Sequence, residues 1–179
     1  MRLIYVFLGA ALAVFGPMVQ AAELSGRRAP GFALPDVNMQ YHDLADYQGK
    51  VVLLEIMQSQ CPNCQTLVGI LAKAKEKYGD RVAVLGVVTP PDNTQTIRKF
   101  IEDYQVKTPV LFDCGQMVGS YLLPNPQNPR IHVPHLFLID SKGIIRNDFD
   151  SASATVQDGS GLEAAIDRVL ADREAEGAP

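Results

Sequence analysis

The chain has 179 residues, with 16 Lys or Arg and 20 Asp or Glu, so its net charge at pH 7 is −4. This mild acidity, without a basic cluster, argues against a nucleic-acid partner. The length suits one ordinary domain with a core large enough to fold alone. Because the cysteines number three, at least one thiol is unpaired or pairs with another molecule.

The first residues have the layout of a secretory signal peptide. A short positive start (Met1-Arg2) precedes an apolar run at 3–15 and a small-residue cleavage pattern at 19–21. We therefore predict a signal peptide over residues 1–22 and an exported domain over residues 23–179. The alternative is an uncleaved membrane anchor, but this apolar run is shorter than the roughly 20 residues that span a bilayer.

The rest of the sequence alternates between strand-like apolar runs and segments with helical periodicity. Short apolar spots between turn residues predict a small β-hairpin within 32–50. The elements predicted after it are a strand at 51–57, a helix at 62–78, a strand at 82–88, a helix from 93 or 94 to 104, a strand at 109–113, one or two helical turns at 115–121, strands at 135–140 and 144–149, and a helix at 161–173. The tight turn at 141–143 makes the last two strands antiparallel neighbours. This order predicts an α/β sandwich around a mixed sheet.

The motif Cys61-Pro62-Asn63-Cys64 lies where the strand at 51–57 gives way to a helix. Free backbone N–H groups and the positive end of the helix dipole favour an anion there, and the thiolate is the form of sulfur that attacks disulfides. Pro62 suits the first helical turn, where its missing N–H needs no partner. The motif therefore predicts thiol–disulfide exchange. The alternatives are a permanent disulfide and a mixed Cys/His zinc site, since three cysteines exclude a four-cysteine site.

Glu55 interrupts the apolar strand that precedes the motif. Helices are expected to cover both faces of this strand, so a charged carboxylate there is costly. One interpretation is that the side chain reaches solvent through a local gap. The other is a buried acid with a raised pKa beneath the cysteines, which takes the proton of Cys64 when that thiol attacks.

Two histidines and a third cysteine complete the set of candidate reactive side chains. His132 and His135 flank a proline, either without a role or close to Cys61, where a charged imidazole favours the thiolate. In the second case Cys61, Cys64 and His135 form a candidate copper or zinc site, since thiolate and imidazole suit those metals. We expect Cys114 to be a buried free thiol; the alternative is a regulatory or intermolecular disulfide.

Four segments in this order resemble the thioredoxin fold and, within it, the exported TlpA/ResA-like thiol–disulfide oxidoreductases of the redoxin family. They are residues 29–35 (APGFALP), residues 49–54 (GKVVLL), the motif at 61–64, and Val133-Pro134 followed by residues 136–144 (LFLIDSKGI). The resemblance covers about residues 29–150. The chain departs from the family pattern at Gln60, where Trp is usual, and at His135, where Thr or Ser is usual.

This resemblance implies a thioredoxin-like three-layer sandwich, with a mixed central sheet and an N-terminal β-hairpin extension. It also implies that the Val133–Pro134 peptide bond is cis and lies beside the cysteines. The backbone of Val133 is then free to pair with an extended client peptide. We therefore expect Val133, Pro134, Pro62 and Asn63 to bind the substrate. A trans proline at the start of an edge strand is the alternative.

The same resemblance assigns catalytic roles to three residues. Cys61 is the exposed nucleophile that forms a mixed disulfide with a partner, and Cys64 attacks Cys61 to release that partner. Glu55 is the proton acceptor, because related thioredoxins carry an acid six residues before the first cysteine.

The leading function is therefore an exported or periplasmic thiol–disulfide oxidoreductase that acts as a monomer, with no cofactor beyond its Cys61–Cys64 redox pair. Its partners are a protein thiol or disulfide client, in cytochrome c maturation or another periplasmic process, and a membrane or periplasmic thiol electron donor. The alternatives are a copper-delivery module and, less favoured, a thiol peroxidase. Peroxidases of this fold carry Pro and Thr or Ser before the reactive cysteine, where this chain has Leu54 and Gln58.

Overall fold

A computed structural model of the protein describes residues 25–124, 126 and 130–175. The strands and helices are β1 (Ala33–Pro35), β2 (Tyr41–Asp43), β3 (Val51–Met57), α1 (Pro62–Tyr78), β4 (Val82–Val88), α2 (Thr94–Tyr104), β5 (Val110–Phe112), α3 (Gln116–Leu122), β6 (His135–Ile139), β7 (Ile145–Phe149), α4 (Ala154–Asp158) and α5 (Leu162–Ala175). The predicted signal peptide at 1–22 lies outside the described residues. Among the helices that are described, none combines the length and apolarity that crossing a membrane requires.

The main sheet is mixed, with the strand order β5-β4-β3-β6-β7. The central strand β3 pairs in parallel with β4 and antiparallel with β6. Every residue of β3 and β4 is buried because both faces of the sheet are covered. A separate antiparallel hairpin joins β1 to β2. The thioredoxin-like sandwich and its N-terminal hairpin are thus confirmed, as is the antiparallel pairing of β6 with β7.

Side chains of β3 alternate between two separate cores because successive residues of a strand point to opposite faces. Val51 and Leu53 pack with α1 and α5 on one side of the sheet, which we call the α1 face. Val52 and Leu54 pack with α3 and the β1–β2 hairpin on the other, the α3 face. This alternation places Glu55 on the α1 face.

One edge of the sheet collects the segments that carry the candidate site. The carboxyl ends of β3, β4 and β5 meet at this edge because the three strands are parallel. The amino end of β6 meets them there because β6 runs antiparallel to β3. The cysteine motif after β3 and the Val133–Pro134 segment before β6 therefore become neighbours despite their distance in sequence.

Helix α4 was not predicted from the sequence. Ser153 caps its first turn by accepting the N–H of Val156 at 3.3 Å, and Gly159 ends it with a φ of 83°. Both are ordinary helix-end signals. The five residues between them are too few to give a periodic apolar pattern, so the two end signals alone did not predict a helix.

Candidate active site

The two sulfur atoms of the motif differ in access. Cys61 is the N-cap residue of α1, and its Sγ atom accepts the backbone N–H of Cys64 at 3.3 Å. A hydrogen bond from a backbone N–H stabilises a thiolate. Cys61 is half-buried, Cys64 is fully buried, and both are free thiols. An outside partner therefore meets Cys61 first.

The segment before β6 lies against Cys61. The Val133–Pro134 bond is cis, as the resemblance implies. The carbonyl oxygen of Val133 is 3.8 Å from Cys61 Sγ. Pro62 and Asn63 are exposed and Val133 is half-buried, whereas Pro134 is buried. Backbone and side-chain atoms on both sides of Cys61 are thus accessible to an extended peptide.

Glu55 lies beneath α1 and does not reach solvent. Only 1% of the residue is exposed, so the interpretation that its carboxylate points into solvent through a local gap is wrong. Its Oε1 atom has no hydrogen-bond partner among the described residues. Burial without a compensating partner raises the pKa of Glu55 from its ordinary 4.5 to about 8. The carboxyl group is therefore largely protonated at neutral pH.

The Cys64 thiol interacts electrostatically with this acid. Burial raises the pKa of Cys64 far above its ordinary value, and the hydrogen bond with Cys61 and the charge of Glu55 raise it further. Ionisation of Cys64 and ionisation of Glu55 thus oppose each other, which is the condition for two groups to share one proton. Transfer of that proton to Glu55 would ionise Cys64 without placing two negative charges in the core.

His135 does not join the cysteines. It is the register partner of Ile56, so its side chain lies on the α3 face while Cys64 packs on the α1 face. Its ring stacks on Phe137 with centroids 4.6 Å apart, and its Nε2 atom is hydrogen-bonded to Asp148. The candidate copper or zinc site at Cys61, Cys64 and His135 is therefore not assembled, and the described part of the chain has no other group of metal-ligating side chains. His132 is exposed.

Cys114 is exposed, so the expectation of a buried thiol is wrong. The buried residue at this point is Asp113, whose carboxylate accepts the N–H groups of Met117 and Val118 at 3.2 and 2.9 Å. Asp113 takes the inward position at the start of α3 because it satisfies these donors. Cys114, the next residue, is left at the surface.

Asp92 holds the loop before Cys61, a role that sequence reasoning missed. Its carboxylate accepts the backbone N–H of Ser59 at 2.9 Å and the hydroxyl groups of Ser59 and Thr96 at 2.5 and 2.9 Å. The Ser59 carbonyl accepts a side-chain N–H of Gln65 at 3.0 Å. Every polar group of Ser59 is thus bound two residues before Cys61. The sequence signal was weak, because Asp92 occurs in a Pro- and Asn-containing loop.

Comparisons with known proteins identify related sequences. A sequence model of the AhpC/TSA family matches residues 25–148. The chain is 25% identical over 119 residues to the thiol-disulfide oxidoreductase ResA of Bacillus thuringiensis subsp. konkukian, which covers 66% of this chain and 65% of ResA. It is 28% identical over 124 residues to ResA of Geobacillus thermodenitrificans, and this match covers 68% of this chain and 66% of that ResA. The chain thus spans just under two thirds of the length of these relatives, and the resemblance to ResA-like proteins is confirmed.

Solved structures share the fold. A Chlorobium tepidum protein assigned as the thiol:disulfide interchange protein DsbE superposes with a TM-score of 0.69 at 28% identity, over 82% of this chain and 97% of that one. A Neisseria meningitidis protein assigned as a thioredoxin gives a TM-score of 0.67 at 29% identity, over 86% of this chain and 95% of that one. Both matches cover nearly all of the other chain, so the whole thioredoxin-like domain is shared.

Replacing Asp92 with Ala should loosen the loop that carries Cys61. The change leaves the nearly buried N–H of Ser59 without its acceptor, so we expect the free energy of unfolding to fall by about 2 kcal/mol. We also expect slower alkylation of Cys61 by iodoacetamide at pH 7, because the loop no longer holds the sulfur against the Cys64 N–H. Asp150→Ala is the control, since Asp150 accepts one N–H in an exposed turn. Equal alkylation rates in both variants would leave Asp92 a purely structural role.

Replacing Glu55 with Gln should remove a loss of stability that develops as the pH rises from 4.5 to about 8. The folded protein holds the Glu55 proton up to a pKa of about 8, whereas the unfolded chain releases it near 4.5. Between these values the folded state binds more protons, so the stability of the wild-type protein falls as the pH rises, by on the order of 5 kcal/mol at most. Urea denaturation measures the free energy of unfolding of both proteins. The difference between them should move in favour of the variant as the pH rises from 5 to 9. The control is Glu102→Gln, since Glu102 is exposed. If the free energies of unfolding of the wild-type protein and Glu55→Gln changed equally with pH, the raised pKa of Glu55 would be contradicted.

Proposed function

The chain belongs to the AhpC/TSA family, and we propose that it is a thiol–disulfide oxidoreductase that exchanges disulfides with protein clients through Cys61 and Cys64. One observation carries the proposal: a half-buried sulfur caps α1, and a fully buried sulfur lies one turn below it. The name that its ResA relatives bear, thiol-disulfide oxidoreductase, supports the same chemistry.

The first step joins Cys61 to the client. The Cys61 thiolate attacks a client disulfide, so a Cys61–client disulfide forms and the other client sulfur leaves as a thiolate, which takes a proton from water. The client backbone lies in extended form along Val133, next to Pro62 and Asn63. The 3.8 Å between the Val133 oxygen and Cys61 Sγ supports this position, since a peptide paired with Val133 also lies at the sulfur.

The second step releases the client. Cys64 gives its proton to the Glu55 carboxylate, and its sulfur attacks Cys61 Sγ. The Cys61–Cys64 disulfide forms, the Cys61–client bond breaks, and the second client sulfur leaves. Two electrons have then passed from the cysteine pair to the client. The charge of Glu55 raises the pKa of Cys64, so the two groups interact, which supports this pairing of donor and acceptor.

We further propose that the protein is exported to the periplasm after cleavage of residues 1–22, that residues 23–179 form its single domain, and that it acts as a monomer. In this setting it reduces its client, in cytochrome c maturation or a related process, and a membrane or periplasmic thiol donor restores the dithiol. The reduction potential of the Cys61–Cys64 pair, measured against a glutathione series, tests the direction. A value near −270 mV fits a reductant, and a value near −120 mV would reverse the assignment.

Serine variants should separate the two thiols. With a peptide that contains one internal disulfide as the client, Cys64→Ser should accumulate the mixed disulfide, because the second step is blocked. Cys61→Ser should form no adduct, because the buried Cys64 cannot meet the peptide. Exposed Cys114→Ser is the matched control and should react like the wild-type protein. Mass spectrometry of acid-quenched samples reports the adducts, and an adduct on Cys64 in the Cys61→Ser variant would invalidate the assigned roles.

Glu55→Gln should slow the second step and spare the first. The amide cannot accept the Cys64 proton, so we expect release of the mixed disulfide to fall about 100-fold at pH 8. The wild-type rate should rise through pH 8, where Glu55 ionises, and the variant should lose this rise. Stopped-flow fluorescence of a labelled peptide measures the release. Identical release rates for the wild-type protein and the variant from pH 6 to 9 would refute the role of Glu55.

A further inference from the structure

A narrow crevice connects the buried Glu55 carboxyl group to the side of the molecule. Its lining comes from the sheet, from α1 and from the connection between α2 and β5. Nearly all of this lining is apolar; the polar side chains in it are Glu55 and Thr108. Buried carboxyl oxygens in proteins are almost always hydrogen-bonded, to protein groups or to ordered water. Oε1 of Glu55 has no partner among the described residues, and the crevice is a space beside this side chain in which a partner can lie.

Gly86 keeps the crevice open. It is the register neighbour of Glu55 on β4, so any side chain at this position would stand directly beside the carboxyl group. A Cβ atom there would lie 3.3 Å from Met57 Sδ and 3.7 Å from a methyl carbon of Val110. One methyl group therefore fits with a small shift of the flexible Met57 side chain, and it would take up much of the space.

The mouth of the crevice is separate from the surface around Cys61. The lining residues that are only partly buried are Val68, Val106 and Thr108, so the crevice opens between α1 and the α2–β5 connection. Val68 lies seven residues beyond Cys61 in the sequence, which is about 10 Å along α1. A client that covers Cys61, Pro62 and Val133 would leave this mouth in contact with solvent.

We propose that an ordered water molecule fills the crevice between Glu55 and Thr108 and carries the proton of Cys64 from the Glu55 carboxyl group to the solvent while the client covers Cys61. The proposal rests on the proposed role of Glu55 as proton acceptor. After Cys64 has given its proton to Glu55 and attacked Cys61, the protonated carboxyl group donates that proton to the water, which passes one to bulk solvent. Glu55 is then ionised again, and no further oxidant or reductant takes part.

The chemistry of the crevice suits one water molecule. Water in a protein interior needs at least two polar partners, which the Glu55 carboxyl group and the Thr108 hydroxyl group supply. Among the titratable groups on the elements around Glu55, Cys64 is the one whose pKa the charge of Glu55 raises. The charged side chains of α1 (Lys73, Lys75, Glu76 and Lys77) and Lys107, between Val106 and Thr108, are exposed or half-buried. The apolar remainder of the lining keeps the water in place and keeps the carboxyl group partly desolvated.

Two substitutions in the full-length reduced protein test the water. Gly86→Ala fills the space, and Thr108→Val removes the hydroxyl group at nearly constant volume. Thr108→Ser keeps the hydroxyl group, and Gly119→Ala on α3, where a Cβ meets nothing within 4 Å, is the matched control. Carbon-13 NMR of labelled glutamate follows the titration of Glu55. Water-to-methyl NOEs to Val110, whose methyl groups are present in every variant, detect the water directly.

We expect the wild-type protein, Thr108→Ser and Gly119→Ala to show the NOEs and the same Glu55 titration midpoint. Gly86→Ala and Thr108→Val should lose the NOEs and shift the midpoint upward by about one pH unit, because the carboxylate loses a hydrogen bond. The pH profile of mixed-disulfide release should shift by the same amount. Thermal unfolding shows whether Gly86→Ala folds. If this variant does not fold, the NOEs and the titration midpoint of Thr108→Val test the water alone.

The outcomes separate this proposal from the proposed function. An unchanged midpoint and profile in both variants, with slow release in Glu55→Gln, would overturn the water route and leave Glu55 as the proton acceptor. Release that is unaffected by Glu55→Gln would overturn both. Release unaffected by Cys61→Ser would overturn the oxidoreductase itself.

Discussion

The double pairing of β3 is the constraint on which the site depends. Because β3 pairs with β4 on one side and β6 on the other, each of its residues has a fixed face and a fixed neighbour. Glu55 must lie on the α1 face beside Gly86, and the next turn of chain must deliver Cys61 to the start of α1. A slip of one residue would move Glu55 to the α3 face. It would then be separated from Cys64 by the whole sheet.

The same burial that makes Glu55 costly suits it to the proposed role of proton acceptor. An acid with one unpartnered oxygen in an apolar environment holds its proton to a pKa of about 8. The proton affinity of Glu55 is therefore closer to that of a thiol than the proton affinity of an exposed carboxylate is. This difference favours the proposed proton transfer from Cys64. In return, the free energy of unfolding falls as the pH rises from 4.5 to about 8. Functional sites commonly show this conflict between local stability and reactivity.

Two loops of the candidate active site are held by polar contacts rather than by apolar packing. Asp92 binds the loop before Cys61, and Asp113 binds the first turn of α3 at the end of the neighbouring strand. Both carboxylates follow parallel strands at the same edge of the sheet. Each satisfies backbone N–H groups that the ends of regular elements leave free. The cysteine pair therefore stands on a loop whose backbone has little freedom, although the loop is at the surface.

The strands, the helices and the cysteine motif could be predicted from the sequence because each depends on local patterns. Apolar runs between turn residues predict β3 and β4, and Cys61 followed by Pro62 predicts the start of α1 to the residue. Helix α4 was missed because five residues carry no periodicity. The exposure of Cys114 was missed because the inward residue at that point, Asp113, is polar and is buried only by its bonds to α3.

The sequence by itself determined the order of the elements, the dithiol at a helix start and an acid in an apolar strand, since these follow from residue types at short spacing. Tertiary structure alone decided which of these groups meet. Strand register placed His135 on the far side of the sheet and Gly86 beside Glu55, and the packing of two loops brought Asp92 to Ser59. Such contacts join residues far apart in the chain. They depend on which strands pair and in what register, and no local pattern in one sequence encodes that pairing.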